Sequence, residues 1–338
     1  MTERFCVPGL LIALAMGLQA PTPAHGQTPA RQGGTARWTP PRTPWGHPDL
    51  QGIWSNATTT PLERPAEYAD KPLLTDEEFA AANTAAASRR NTDRAPRAGD
   101  PGTYNEFWWE RGNLLKNTAI IIDPPNGKVP PLTPEGQKRA AAWAAPRKGN
   151  GPADSWEDRN LHERCILYHG VPPLPTGYNN NYQILQTPNY VAIRYEMLSE
   201  IRIIPLDGRK HVPKAIKQWM GDPRGRWAGD TLVVESTNFN YAAGGLYELG
   251  SVMNLQGTGD TLRIVERFKR TDANTIDYTF TVDDPTMFTQ PWTGRLPLVA
   301  FDGEIFEYAC HEGNIAMEGM LRGARLEEAE ARKKSAPR

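Results

Sequence analysis

Cysteine and histidine are scarce in this chain, and neither is arranged for a compact metal or redox centre. Three cysteines and six histidines occur among 338 residues. No Cys-x-x-Cys or His-x-x-x-His pair is present, which argues against zinc ribbons, zincins and thioredoxin-type sites. Also missing are a glycine-rich phosphate loop and the strand–helix alternation of a doubly wound sheet, which disfavours nucleotide binding. The Gly-x-Ser-x-Gly elbow of α/β hydrolases does not occur. Charge of one sign is lacking too: 38 basic against 39 acidic residues leave a formal net charge of −1, so nucleic acid and anionic membranes are not implied partners. Only one long apolar run exists. It spans Phe5–Ala20 behind the basic start Met1–Arg4 and is followed by Ala24-His25-Gly26. This is the pattern of a secretory signal peptide over 1–26, too short and too interrupted by Pro8 for a comfortable membrane span. The expected location is periplasmic or secreted, with no membrane span after cleavage.

Removal of the leader takes Cys6 and leaves Cys165 and Cys310. In an oxidising compartment two remaining thiols are expected to pair. The rival reading is a reactive or metal-binding thiolate, since Cys165 follows Glu163-Arg164 and Cys310 precedes His311. What the chain has in quantity is proline and glycine, 31 and 30 residues, together with ten tryptophans. That composition implies much turn and loop around a real core. Residues 27–45 read as a flexible N-terminus, and 46–322 as a single β-rich domain. Helical decorations are expected at about 76–90, where Thr75 and Glu78 form a capping box, and at 134–145, between Pro134 and Pro146. The charged tail 323–338 carries a short helix over 324–334.

From about residue 180 the apolar period becomes two. Val191, Ile193, Tyr195 and Met197 alternate with polar or small residues. So do Leu232–Val234, Leu262–Phe268, Ile276–Val282 and the run Phe306-Tyr308-Cys310. Turn signals such as Gly229-Asp230 and Asp302-Gly303 separate them. The pattern predicts a mainly β fold, an antiparallel meander closed into a barrel or, alternatively, a sandwich, with N-terminal helices packed around it. Two Gly-x-Trp elements, Gly52-Ile53-Trp54 and Gly225-Arg226-Trp227, are similar to the strand that opens a lipocalin-like barrel and favour the barrel.

Five stretches resemble a family of exported bacterial proteins: Glu163-Arg164-Cys165, Tyr178–Ile184 (YNNNYQI), Arg202–Arg209 (RIIPLDGR), Gly225–Glu235 (GRWAGDTLVVE) and Tyr308–Asn314 (YACHEGN). The resemblance covers most of 45–325. It implies an exported β-rich protein and brings no reaction, cofactor or catalytic residue. His169 departs from the small or cationic residue that the resemblance leads one to expect, and it is not taken as part of a site.

Candidate chemistry therefore rests on residue type. His311 and Glu312 join an imidazole to a carboxylate, a pairing suited to general acid–base work. On a last strand they would sit beside the anchored Cys310, His311 on the opposite face. Arg194, Glu196 and Arg202 place charges of both signs on strand-like runs, and a lumen lined by such residues suits a polar ligand. Tyr178, Asn180 and Tyr182 form a polar-aromatic loop that can hydrogen-bond a ligand or simply make a turn. His211 and Trp292 complete the candidate binding set. A metal held by His211, His311 and Glu312 is conceivable but not favoured, and no cofactor is implied. The expected function is small-molecule binding by an exported barrel. The alternatives are a secreted lyase, isomerase or hydrolase using His311, and a structural or surface-interaction protein.

Overall fold

In the computed structural model, residues 38–89, 106–144, 151, 153–240 and 261–335 are described. The expected signal peptide over 1–26 and residues 27–37 lie outside them. Ten strands follow in order: β1 (Gly52–Ser55), β2 (Ile121–Asp123), β3 (Asn181–Gln186), β4 (Tyr190–Tyr195), β5 (Ile201–Pro205), β6 (Asp222–Ala228), β7 (Thr231–Thr237), β8 (Arg263–Arg270), β9 (Thr275–Asp283) and β10 (Trp292–Ala300). The helices are α1 (Asp76–Arg89), α2 (Pro134–Ala144) and α3 (Ile315–Ser335). The strands hydrogen-bond in the order β5-β4-β3-β1-β10-β9-β8-β7-β6, with β2 as an extra partner of β10. Every named pairing is antiparallel. The two ends of that order approach each other, so the sheet is a nearly closed barrel, as the period-two runs predicted, and not a sandwich.

Glycine makes the closure possible. A Cβ at Gly225 of β6 would lie 2.8 Å from Ile204 Cγ2 of β5 and 2.7 Å from Leu206 Cδ2, so only a bare backbone lets the edges meet. Gly294 of β10 solves a similar problem inside the barrel, where an added Cβ would lie 2.2 Å from the Phe280 ring. Gly294→Ala is expected to cost about 1–3 kcal/mol by overpacking. Urea unfolding measures it, and a loss under half of that range would mean that Phe280 has room to move.

Directly opposed residues share a face, so the registers identify the lumen lining. Trp54 opposes Tyr182, which opposes Tyr195. Ile193 opposes Arg202, Glu266 opposes Phe280, and Phe280 opposes Gly294. These positions are buried and fill the barrel with Ile184, Val234, Ile264, Phe268, Tyr278 and Leu298. The one cavity described there is about 10 Å³, lined by Pro173, Arg202 and three tyrosines among others. That is about the size of one water, so the lumen is core.

The helices obey their signals. Thr75 N donates to Glu78 Oε2 (2.9 Å) and Glu78 N to Thr75 Oγ1 (3.2 Å), which is a reciprocal cap. Thr133 Oγ1 caps α2 through Gly136 N (2.9 Å). Three expectations are corrected. The run Phe306–His311 is not a strand. The chain leaves β10 at Ala300 with short β1 already seated between β10 and β3, so the edge beside it is taken. Its amides turn elsewhere instead: Phe306 N to Glu196 Oε1 (3.2 Å) and Cys310 N to Tyr308 O (2.9 Å). The C-terminal helix is longer than the charged stretch 324–334 and starts at Ile315, straight after Gly313 in the left-handed region. The last strand is β10, which sequence reading passes over because Pro297 interrupts it. Arg295 N points away from β9 to Ile120 O (2.9 Å). Pro297, two residues on, therefore faces the same side, between the end of β2 and the start of β1. Its missing N–H leaves no partner unsatisfied there.

Both barrel ends are covered by chain. At one end, here the mouth, Gly170–Pro175 sits over the lumen, with Val171 and Leu174 buried and Pro173 O accepting from Asn56 Nδ2 (2.9 Å). At the other end, the base, residues 41–50 cross the opening. Of the stretch expected to be flexible, 38–45 is described, and it turns through Gly46 N to Thr43 O (2.9 Å).

Candidate functional site

The mouth is where burial, backbone strain and ionisable groups coincide. Among the described residues, four of the five non-glycine residues in the left-handed region belong to it: Cys165, Asn179, Leu198 and Ser199. Leu198 and Ser199 are consecutive, in the loop that joins β4 to β5. Each such residue costs roughly 1–2 kcal/mol. The loop is held because Met197 is buried, Ser199 N reaches Glu196 O (3.2 Å) and Tyr195 N reaches Glu200 O (2.8 Å). Strain that the surroundings enforce is a marker of functional positions.

That loop ends on Glu200. Its Oε1 accepts from Tyr168 N (2.7 Å), while its Oε2 is buried with no hydrogen-bond partner. Burial pushes this carboxyl up to about 7, and the Tyr168 amide offsets the effect only in part. Around it runs a row of rings: His162 to Tyr168 at 4.2 Å, Tyr168 to His169 at 5.3 Å, and His169 to Tyr182 at 5.7 Å. Burial lowers His162, raises the Tyr168 phenol and drops His169 to about 4. His169 is fully buried with Nδ1 3.2 Å from Leu174 O and Nε2 3.3 Å from Asn179 O. A neutral imidazole carries one N–H, so one of these contacts is a hydrogen bond and the other sets a lone pair against a carbonyl. The disulfide Cys165–Cys310, across 145 residues with Cα atoms 5.7 Å apart, ties the post-barrel chain to this end. A disulfide is thus present, and Cys310 is not a free thiol.

The residues singled out from sequence are not gathered in one place. Asn180 is fully buried. Its Oδ1 accepts from Thr176 N (2.7 Å) and its Nδ2 donates to Thr176 O (3.0 Å) and Glu110 O (3.3 Å). Its role is to shape the turn. Glu196 is buried, accepting from Asn181 Nδ2 (2.8 Å) and from Phe306 N. Tyr182, Arg202 and Trp292 belong to the filled lumen. Arg202 pairs with Glu266 through Nη1–Oε1 (3.0 Å) and Nη2–Oε2 (2.5 Å). Arg194 lies on the outward face, opposite Gln183 and Ile201. Tyr178 is half-buried at the mouth, 6.1 Å from the Trp109 ring. His211 is on the outer wall near β6 and β7, with Nδ1 3.0 Å from Asp222 Oδ2 and Nε2 3.5 Å from Glu235 Oε1. His311 and Glu312 are exposed on the turn before α3, not on a strand. They do not meet His211. Among the described residues, no group of three or more His, Cys, Asp or Glu side chains is placed to hold a metal ion.

Sequence reading missed Glu200 and Tyr168, and set His169 aside. No motif marks Glu200. The only available signal is its place, at the end of a short connection between two strand-like runs.

No protein-family model matches the chain, and neither curated proteins nor solved structures give a match. Among the described residues no helix is long and apolar enough to cross a membrane.

Proposed function

We propose that this protein is an exported carrier of a small polar-aromatic molecule, bound at the disulfide-stapled mouth of the barrel. One observation carries the reading: Glu200 keeps a buried oxygen that no group among the described residues satisfies. Such an atom is costly unless something supplies a donor. A ligand hydroxyl or amine is the complement, and the rings of Tyr168, His162 and Tyr178 offer it an apolar wall. The filled lumen puts the ligand at the mouth and not inside. The apolar leader and the disulfide support export, and the resemblance to exported bacterial proteins agrees with it.

Native mass spectrometry of protein purified from its own compartment tests the reading. The expected result is a small non-covalent adduct that Glu200→Ala loses while its fold is retained. Bare protein, or an adduct indifferent to the substitution, would contradict it.

Glu200 also predicts a pH dependence. Its folded value is raised, so the unfolded chain ionises first as pH climbs from 4.5 toward about 7, and stability falls over that window. Glu200→Gln removes the loss. The variant is expected to match the wild type in melting temperature below pH 4.5 and to exceed it above pH 7. The opposing effect of His169, whose lowered value costs stability as pH drops from 6.5 toward about 4, is present in both proteins and cancels in the comparison.

A further inference from the structure

Among the described residues, the base of the barrel gathers buried side-chain nitrogens that have no hydrogen-bond partner. Residues 41–50 form a strap across it. Arg42 Nη2 bonds Asp230 Oδ1 (2.6 Å) at the turn between β6 and β7. The His47 ring stacks on Trp227 of β6, centroids 5.2 Å apart and planes at 30°. Pro48 O accepts from Gln186 Nε2 (3.1 Å), Leu50 N donates to Gln186 Oε1 (2.6 Å), and Asp49 O accepts from Arg270 Nη1 (3.0 Å). The strap thus touches β3, β6 and β8 in passing.

Trp227 and Arg270 share the inward face. Trp227 opposes Leu232, which opposes Phe268, and Arg270 lies two residues beyond Phe268. One strand separates β6 from β8, so their backbones are about 10 Å apart. The strap meets both side chains, His47 on the Trp227 ring and the Asp49 carbonyl on the Arg270 guanidinium. Trp45 Nε1, His47 Nδ1, Trp227 Nε1 and Arg270 Nε are all buried without a hydrogen-bond partner. Arg270 Nη1 and Nη2 each donate to a neutral carbonyl, Asp49 O and Ala273 O (2.7 Å). Among the described residues no carboxylate pairs with it. A sheltered guanidinium normally meets an anion, and buried donors normally meet acceptors. The groups left over at this end are nitrogens, one of them on a cation, and the Trp54 ring, 5.3 Å from the guanidinium carbon, adds an aromatic wall.

We propose that the base of the barrel is a binding site for a small organic carboxylate. The carboxylate accepts from Arg270 Nε and the Trp227 indole N–H. His47, in the tautomer protonated at Nδ1, and the Trp45 indole supply further donors. Indole and imidazole faces around the charge select an anion with an apolar or aromatic body over inorganic phosphate. This site is separate from the mouth and does not depend on Glu200.

The indole N–H signals report it directly. Benzoate is titrated into the full mature chain, with benzyl alcohol and inorganic phosphate as parallel arms, and the indole region of the ¹⁵N–¹H spectrum is followed. Trp45 and Trp227 are assigned by single Trp→Phe variants. Saturable shifts of both signals with benzoate, and none with benzyl alcohol, are expected. Arg270→Met is expected to weaken binding at least tenfold. If that variant does not fold, Trp227→Phe, which keeps a ring for His47 to stack on, is expected to weaken it several-fold. Unmoved indole signals, or unchanged affinity in a folded Arg270→Met, would overturn the proposal. A response to phosphate with benzoate silent would overturn the assignment to carboxylates.

Discussion

Arg202→Met is expected to destabilise the protein by about 3–5 kcal/mol, the usual cost of stranding one member of a buried ion pair. Arg202 and Glu266 side chains are 1% and 0% exposed, so solvent cannot replace either partner. The pair is built into a wider set of bonds: Arg202 Nη1 to Tyr195 Oη (3.2 Å), Nη2 to Ser236 Oγ (3.3 Å), and Tyr278 Oη to Glu266 Oε1 (3.0 Å). These links join β4, β5, β7, β8 and β9 across the lumen, on both sides of the seam between β5 and β6. Removing Arg202 leaves a carboxylate in an apolar interior without its counter-charge. The double change Arg202→Met, Glu266→Leu removes both charges together and is expected to recover most of the loss. Urea unfolding of the two single variants and the double variant checks this. Single variants within 1 kcal/mol of the wild type would mean that water reaches the lumen and that the barrel is less filled than described.

Loss of the disulfide is the second large effect. Cys165→Ser or Cys310→Ser is expected to cost about 2–5 kcal/mol, since the bond closes a long loop and restricts the unfolded chain. Either single variant should cost as much as the double, because each removes the same bond. The disulfide is the covalent link between the post-barrel chain and the mouth. Hydrogen bonds assist it: Phe306 N to Glu196, Asn314 Nδ2 to Glu163 O (3.4 Å), and Arg325 Nη2 to Ala153 O (2.8 Å). Reduction frees the Cys165 segment, which carries Tyr168 against Glu200, and is expected to loosen the burial there and let that carboxyl fall toward an ordinary value. Denaturant unfolding with and without reductant measures the stability. An unchanged unfolding midpoint would contradict the account of the staple.

The fold was legible where one physical signal dominated. Alternation over Ile276–Val282 and Leu262–Phe268 marks strands with one face in a core, and these became β9 and β8. Thr75 with Glu78 marks a helix start, because both side chains satisfy amides that the first turn leaves open. The failures have causes as specific. Phe306-Tyr308-Cys310 alternates without being a strand, since alternation needs a sheet edge to become a ladder, and edge availability is a property of the whole barrel. Trp292–Ala300 is a strand despite Pro297, because a gap between two partners tolerates a missing amide. The candidate site was legible only in part. Charged residues on strand-like runs divide between lumen and outer wall by a register that only pairing decides, so Arg202 is buried and Arg194 is not. Of the asparagine run, Asn179 and Asn180 make a turn, as one of the two readings held, and Asn181 opens β3. Glu200 had no signature at all: an ordinary carboxylate in sequence becomes unusual through burial by segments distant along the chain.

The titration of the Glu200 carboxyl, followed by ¹³C resonance in the oxidised protein, tests the central claim most directly. The mouth is read as a ligand site because this group is buried, half-satisfied and held near neutrality. A midpoint near pH 7 is predicted, with a shift on reduction of the disulfide. A midpoint near 4.5 in the oxidised protein would show an ordinary solvated carboxylate, and the reading of the mouth as a binding site would fail with it.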